Sequence, residues 1–335
     1  MSSRLREARQ AAGLSQRELA LRAGVTRALV GSIEQDRHVP AVDAALRLAG
    51  ALGTTAEALF GAEPEIHPEA VTGGHAPEGA VVRAATVGNQ VVVAPLPAEE
   101  DAGAWAAADG TVERGSLMLF PEGTADGALV LGCDPALRVA DALSGGRVVG
   151  VSATTGQALE ALAAGRCHAA LVHGREKRLP EPATPVTRWH VARWRVGIAY
   201  HPELGRTSLE SLLDGSLPLV RRQGSAASDQ ALVRAARRLG VAPPTGPLAA
   251  GHIEGARRAA WMRGAAITYE PAAELFGLGF EPLETHVVEL WAREEWSAHP
   301  GVTELLEVIG SRAFRDRVGA HGGYDLTETG SRRAA

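Results

Sequence analysis

Apolar positions in the first sixty residues fall at helical spacing: Leu5, Ala8 and Ala12, then Leu19, Ala20 and Ala23, with Gly13 and Gly24 closing the two groups. The spacing predicts two short helices. Ser15, three residues before Glu18, is a capping-box pattern in which hydroxyl and carboxylate satisfy each other's free backbone amides at the start of the second helix. Val25-Thr26 opens a third helix, with Thr26 as N-cap, Val30 and Ile33 inward, and Arg27, Ala28 and Ser32 outward. Further on, residues 81–87 and 90–93 are β-rich runs flanking Gly88-Asn89, which suits a two-residue hairpin turn. From Ala128 the pattern changes to short apolar strands alternating with helices: strands at 128–131, 147–151, 169–172, 217–220 and 265–268, helices at 136–143, 155–164, 226–239, 253–263 and 271–276. That alternation is α/β. Extended crossovers near 194–200 and 287–291 are expected to join two lobes, with a cleft between them.

The chain has 335 residues, 45% hydrophobic and 22% charged, which is ordinary globular usage with room for more than one domain. No apolar run approaches membrane-spanning length and the N-terminus has no signal-peptide core, so a cytoplasmic protein without membrane contact is expected. The two cysteines, Cys133 and Cys167, exclude a disulfide scaffold and a four-cysteine metal site. The net charge of -5 is uneven: residues 1–60 sum to +2, residues 61–127 to -9 and residues 128–335 to +2. Attraction to phosphate must therefore come from a local face and not from the whole molecule. Residues 62–75 hold Pro64, Pro68, Gly73 and Gly74 with three glutamates, and read as a linker. The expected division is 1–61 helical, 62–127 an acidic connector with a hairpin, 128–330 α/β, and 331–335 a tail.

The run Leu14-Ser15-Gln16-x-Glu18-Leu19-Ala20, then Ala23-Gly24-Val25-Thr26, then Ile33-Glu34-Gln35-x-Arg37-x-x-Pro40 resembles the Cro/CI-type (XRE) helix-turn-helix family, with packing positions Ala45, Leu46 and Leu48 continuing to Leu59-Phe60. The resemblance implies an all-α DNA-binding domain that lays its third helix in the major groove of a double-stranded operator and binds two half-sites as a homodimer. It places Gln16 and Arg37 at phosphate-contact positions and Thr26, Arg27, Ala28 and Ser32 at the reading end. A guanidinium can donate two hydrogen bonds to one guanine edge, which singles out Arg27.

Residues 128–330 resemble the periplasmic-binding-protein-like domain attached to bacterial regulators and to molybdenum-cofactor biosynthesis proteins. The resemblance is carried by Gly132-Cys133-Asp134-Pro135-Ala136-Leu137, by Arg222-Gln223-Gly224-Ser225 and by the closing Gly322-Gly323-Tyr324-Asp325-x-x-Glu328-Thr329-Gly330. The implied fold is multi-domain: the helix-turn-helix followed by a two-lobed α/β ligand-sensing domain. The implied effector is molybdate, tungstate or a molybdenum-cofactor-related ligand, with no resident cofactor. Strand-end loops and helix N-termini suit anions, which nominates Cys133, Ser152, Thr154, Thr155, Arg222, Gly224, Ser225, Ser228 and Tyr269 as ligand-binding residues. Relatives commonly continue the turn as Gly-Ser-Gly-Thr-Arg, whereas this chain reads Gly224-Ser225-Ala226-Ala227-Ser228, losing a hydroxyl and a positive charge. Arg221 and Arg222 are candidates to replace that charge, or are a solvated pair. The change keeps an organic metabolite open as the effector.

Enzyme signals are weak. No Gly-Lys-Ser or Gly-Lys-Thr follows Gly224, and no Gly-x-Ser-x-Gly elbow occurs. His168 and His173 flank a strand beside Cys167, but no metalloprotease or paired-cysteine spacing accompanies them, so neither a metal site nor a catalytic set is expected. His190, His201, His252 and His286 are dispersed in sequence. The reading is a ligand-responsive transcriptional regulator and not an enzyme. The alternatives are a regulator sensing an organic metabolite, or a cofactor-biosynthesis module that carries a DNA-binding domain.

Overall fold

The computed structural model describes residues 2–35, 37–60, 67–96, 108–205 and 208–333. The chain divides into two compact units, residues 1–65 and 66–335.

The first unit is built from α1 (Ser2–Ala11), α2 (Gln16–Ala23), α3 (Arg27–Ile33), α4 (Val42–Leu52) and α5 (Ala56–Phe60). Leu5, Leu19, Val30, Ile33, Leu48 and Leu59 meet in one core. The expected capping box forms at the start of α2, and Gly24 ends that helix in the left-handed conformation at φ 61°, which glycine adopts without a Cβ penalty. Thr26 caps α3, its hydroxyl accepting from the Leu29 amide. Leu46, read as a packing position, is 58% exposed. The buried stripe of α4 runs through Ala45, Leu48 and Ala49, and Leu46 lies a third of a turn off it.

The second unit contains two sheets. Residues expected as a connector instead carry five strands, β1 (Glu69–Ala70), β2 (Val81–Val87), β3 (Gln90–Pro95), β4 (Gly110–Glu113) and β5 (Ser116–Leu119), in the order β1-β3-β2-β4-β5. The Gly88-Asn89 hairpin is present, with Val87 opposite Gln90. Burial of Val82, Ala84, Val93, Val112 and Leu117 gives this sheet a core of its own. Proline, glycine and acidic residues between very short strands hid the rest of it from a periodicity argument.

The larger sheet has eight strands, adding β6 (Ala128–Gly132), β7 (Val148–Ser152), β8 (Ala169–Gly174), β9 (Val186–Tyr200), β10 (Leu219–Arg222), β11 (Leu248–Ala249), β12 (Ala265–Tyr269) and β13 (Gly279–Arg293) in the order β11-β10-β12-β9-β13-β8-β6-β7. β6 pairs in parallel with β7 and β8, and β10 in parallel with β11 and β12. The long antiparallel pair β9 and β13 runs between these two groups and contains both expected crossovers. Among the described residues the helices are α6 (Ala136–Leu143), α7 (Thr155–Ala163), α8 (Leu209–Leu213), α9 (Ala227–Leu239), α10 (His252–Met262), α11 (Glu270–Leu275), α12 (Pro300–Gly310) and α13 (Arg312–Gly319). Runs such as Ala128–Gly132 and Ala265–Tyr269 are buried throughout, as strands covered on both faces must be.

The closing motif lies along β9. Arg193 and Asp325 exchange backbone hydrogen bonds, the Gly330 amide donates to the His190 carbonyl, and the His190 amide donates to Ser331. Residues 331–333, expected as a tail, continue this pairing, with the Arg333 amide donating to the Arg188 carbonyl. Among the described residues, no helix is long and apolar enough to cross a membrane.

Candidate functional site

In the first unit, the exposed N-terminal end of α3 presents Thr26, Arg27 and Ala28, and Arg37 is also exposed. Ser32 is half-buried and its hydroxyl donates to the Leu29 carbonyl. Gln16, nominated for phosphate contact, donates its amide to Glu34 Oε2 at 2.8 Å. Glu34 is 2% exposed and also takes both Arg9 donors, at 2.6 and 3.1 Å. Burial pushes the Glu34 carboxyl upward, but the Arg9 and Gln16 hydrogen bonds outweigh it and hold the group below its usual range. This buried hub ties α1, α2 and the end of α3 together, so the reading end of α3 stands on a braced base.

In the second unit, the ends of the parallel strands converge. Cys133 and Asp134 follow β6, Thr154 and Thr155 follow β7, His173 is near the end of β8, Arg222 ends β10, His252 follows β11 and Tyr269 ends β12. Such strand ends, at a point where the strand order reverses, are where open α/β sheets bind ligands. The rings form one cluster: His173 is 4.8 Å from Trp194, Tyr269 is 5.1 Å from Trp194 and 4.8 Å from His252, and His286 is 5.4 Å from His173.

Asp134 anchors the cluster, accepting from the Ala136 amide at 2.9 Å, Trp194 Nε1 at 2.8 Å and the Tyr324 hydroxyl at 2.8 Å. Tyr324 reaches it because Gly322 and Gly323 turn the chain with φ of 68° and 64°. Burial raises the Asp134 carboxyl despite these donors. Burial likewise pushes the Cys133 thiol up to about 12, against the pull of the Arg222 charge. Burial also lowers His173 and His252 well below the usual imidazole value, keeping both rings neutral.

Arg222 is 1% exposed. Its Nη2 donates to the Ala250 carbonyl at 2.9 Å, while Nε and Nη1 are buried without a partner. The same is true of Thr155 Oγ1, Ser228 Oγ and His252 Nε2. A solvated arginine pair is therefore not what forms: Arg221 is held by Asp229 Oδ1 at 3.0 Å, and Arg222 is sequestered. Thr154 is consumed by a capping box with Gln157. The Tyr269 and Tyr324 hydroxyl oxygens lie 3.2 Å apart, and with the Tyr324 proton given to Asp134 it is Tyr269 that donates. Ser152, Gly224 and Ser225 are exposed, with Ser225 Cβ 3.6 Å from the position a side chain on Gly156 would occupy.

Cys167 and His168 do not join His173. Cys167 is fully buried elsewhere, and His168 accepts the Leu129 amide at 3.0 Å and packs its ring against that of His299, centroids 4.4 Å apart and tilted by 40°. The partner of His173 is Cys133, whose Sγ lies 3.0 Å from His173 Nε2. Sequence reasoning passed over His286, Trp194 and Asp134 as site residues, and weighed His173 only with His168 and Cys167 before setting it aside. The usable signal was that Cys133 and His173 sit at the ends of neighbouring strands.

This arrangement is a helix-turn-helix unit followed by a two-lobed α/β domain. Residues 5–59 match the helix-turn-helix family model, of the XRE type, and residues 136–310 match that of the PBP superfamily domain, which spans half of the chain; the chain belongs to the PBP superfamily. The restriction-modification controller protein C.AhdI from Aeromonas hydrophila is 41% identical over 18% of this chain and 89% of its own, with a TM-score of 0.17. The regulatory domain of MetR, a LysR family regulator from N. meningitidis, is 13% identical over 62% of this chain and 98% of its own, with a TM-score of 0.43. The ancestral amino acid-binding protein AncCDT-1, a precursor of cyclohexadienyl dehydratase, is 15% identical over 59% and 96%, with a TM-score of 0.44. No curated protein matches the chain.

Proposed function

We propose that the protein is a ligand-responsive transcriptional regulator that binds a double-stranded operator through α3 as a homodimer and a small anion at the strand ends of its PBP domain. The observation that carries the effector class is Arg222. A guanidinium buried to 1% with two unpartnered donors is costly unless an anion completes it. The unpartnered hydroxyls of Thr155 and Ser228 add donors suited to an oxyanion or a carboxylate. Molybdate or tungstate is the inorganic form of this reading. An organic carboxylate is favoured by a separate observation, the wall of Trp194, Tyr269 and Tyr324, which would cover an apolar body. The site binds its effector without transforming it.

The test is calorimetry of the full-length protein with molybdate, tungstate, sulfate and a panel of carboxylates and amino acids. Saturable one-to-one binding of one class, with the compound recovered unchanged, is expected. Turnover of a compound would instead support a biosynthetic module, and indifference to every anion would remove the effector reading.

A further inference from the structure

We infer that Cys133, His173 and His252 form a binding site for a thiophilic d10 metal ion, Zn(II) or Cu(I), held by one thiolate and two imidazole nitrogens. Their ligand atoms all lie within 4.8 Å of one another. The inference rests on these side chains and stands whether or not the protein regulates transcription.

The hydrogen bonds behind the cluster fix which ring nitrogens face it. A carboxylate can only accept, so Glu284 Oε2, 3.3 Å from His286 Nε2, requires the proton of the neutral His286 ring to sit on Nε2. His286 Nδ1 is then an acceptor, and it lies 3.2 Å from His173 Nδ1, which must donate to it. That leaves the lone pair of His173 on Nε2, facing Cys133 Sγ at 3.0 Å. Glu284 is itself held by both Arg234 donors at 2.8 Å. The chain Arg234–Glu284–His286–His173 is the kind of outer support that fixes ligand orientation in metal sites.

His252 is set from another direction. The Thr268 hydroxyl donates to the His252 carbonyl at 3.0 Å, leaving its oxygen to face His252 Nδ1 at 3.5 Å. A proton on Nδ1 leaves the lone pair on Nε2, which is buried in a residue 2% exposed and has no partner. Two unprotonated imidazole nitrogens and one thiol thus meet with no carboxylate among them. That donor set selects a soft or borderline ion over Mg(II) or Ca(II). Bond lengths of roughly 2.3 Å to sulfur and 2.0 Å to nitrogen put the sulfur about 3.5 Å from each nitrogen and the nitrogens about 3.3 Å apart in a tetrahedron, so Cys133 and His173 separate by about half an ångström while donors up to 4.8 Å apart close by about 1 Å or more. Binding breaks the Cys133 S–H bond and forms a sulfur–metal bond, and the proton leaves to solvent. Cys133 is intermediate in exposure as a residue, whereas His173 and His252 are buried. Three protein donors leave a fourth position open for a water or a small anion.

The test uses reduced, metal-stripped full-length protein titrated with Zn(II) and Cu(I) against chromophoric chelators, with Co(II) as a spectroscopic probe. One equivalent of Zn(II) or Cu(I) is expected, with a thiolate-to-Co(II) charge-transfer band. Cys133→Ser should abolish that band and weaken binding at least 100-fold, and His252→Gln should weaken it comparably. His286→Gln, which removes only the orienting ring, should weaken it about 10-fold, while Cys167→Ser changes nothing. Circular dichroism and thermal unfolding confirm that each variant is folded, and Cys133→Ala serves if Cys133→Ser is not. Failure of both ions to bind stoichiometrically, or binding that Cys133→Ser and Cys133→Ala leave intact, overturns the site. DNA and anion binding are read separately, so this failure is distinguishable from failure of the regulator reading.

Discussion

Two buried charges dominate at the level of single side chains, and they behave oppositely. Glu34 is fully satisfied by Arg9 and Gln16, so removing its charge strands Arg9. Glu34→Gln is expected to destabilise the protein by about 3 kcal/mol at neutral pH. Because the folded state holds the Glu34 carboxyl below its unfolded value, this contribution is complete above the unfolded pKa and is lost as pH falls through the folded one. Urea unfolding across the acid limb should therefore show a flatter pH dependence in the variant. Arg222 has the reverse character, since its Nε and Nη1 are buried without a partner and cost stability. Arg222→Met should leave the ligand-free protein at least as stable in thermal unfolding. The same variant should weaken effector binding by about 1.5–3 kcal/mol, roughly 10- to 150-fold. Arg222 was legible as a strand-end cation, but its burial was not, because adjacent arginines read as a solvated pair. The His173–Cys133–His252 grouping was illegible for a different reason: nothing local links residues spread over more than a hundred positions.

Helices and strands were legible where their pattern had a single period. The caps of α2 and α3, the Gly88-Asn89 hairpin and the buried runs of β6, β8 and β12 all follow from residue order. The pairs that form β1, β4 and β5 are two to four residues long and carry no period to detect. The pairing of residues 325–333 with β9 is made by backbone groups of residues that are mostly polar and exposed, Leu326 apart, so no apolar alternation announced it. Gly323, just before that segment, has a measurable role. A Cβ on Gly323 would meet Pro271 Cδ at 3.0 Å in a backbone with φ 64°. Gly323→Ala should cost about 1–2 kcal/mol in urea unfolding and loosen Tyr324 from Asp134. Gly224 meets nothing within 4 Å, so Gly224→Ala should be close to neutral. On α3, Arg27 is exposed and free to reach a base edge. Arg27→Ala is expected to reduce discrimination between operator and random DNA by about 1–3 kcal/mol, read by fluorescence anisotropy on both, without changing effector affinity.

On the proposed reading, the effector must bind two states of the protein unequally, because a ligand indifferent to state shifts nothing. The long strands β9 and β13 run through the middle of the eight-stranded sheet and carry Trp194 and His286 into the ring cluster, which is where the proposed effector would act on the elements joining the two lobes. The most direct measurement is anisotropy of a labelled operator, selected from random sequence by the full-length protein, titrated with and without the anion identified by calorimetry. A change in operator affinity of about 5- to 150-fold is predicted, matched by an equal change in anion affinity when operator is present. An anion that saturates the protein yet leaves operator affinity the same, or a protein that enriches no sequence over random DNA, would contradict the account.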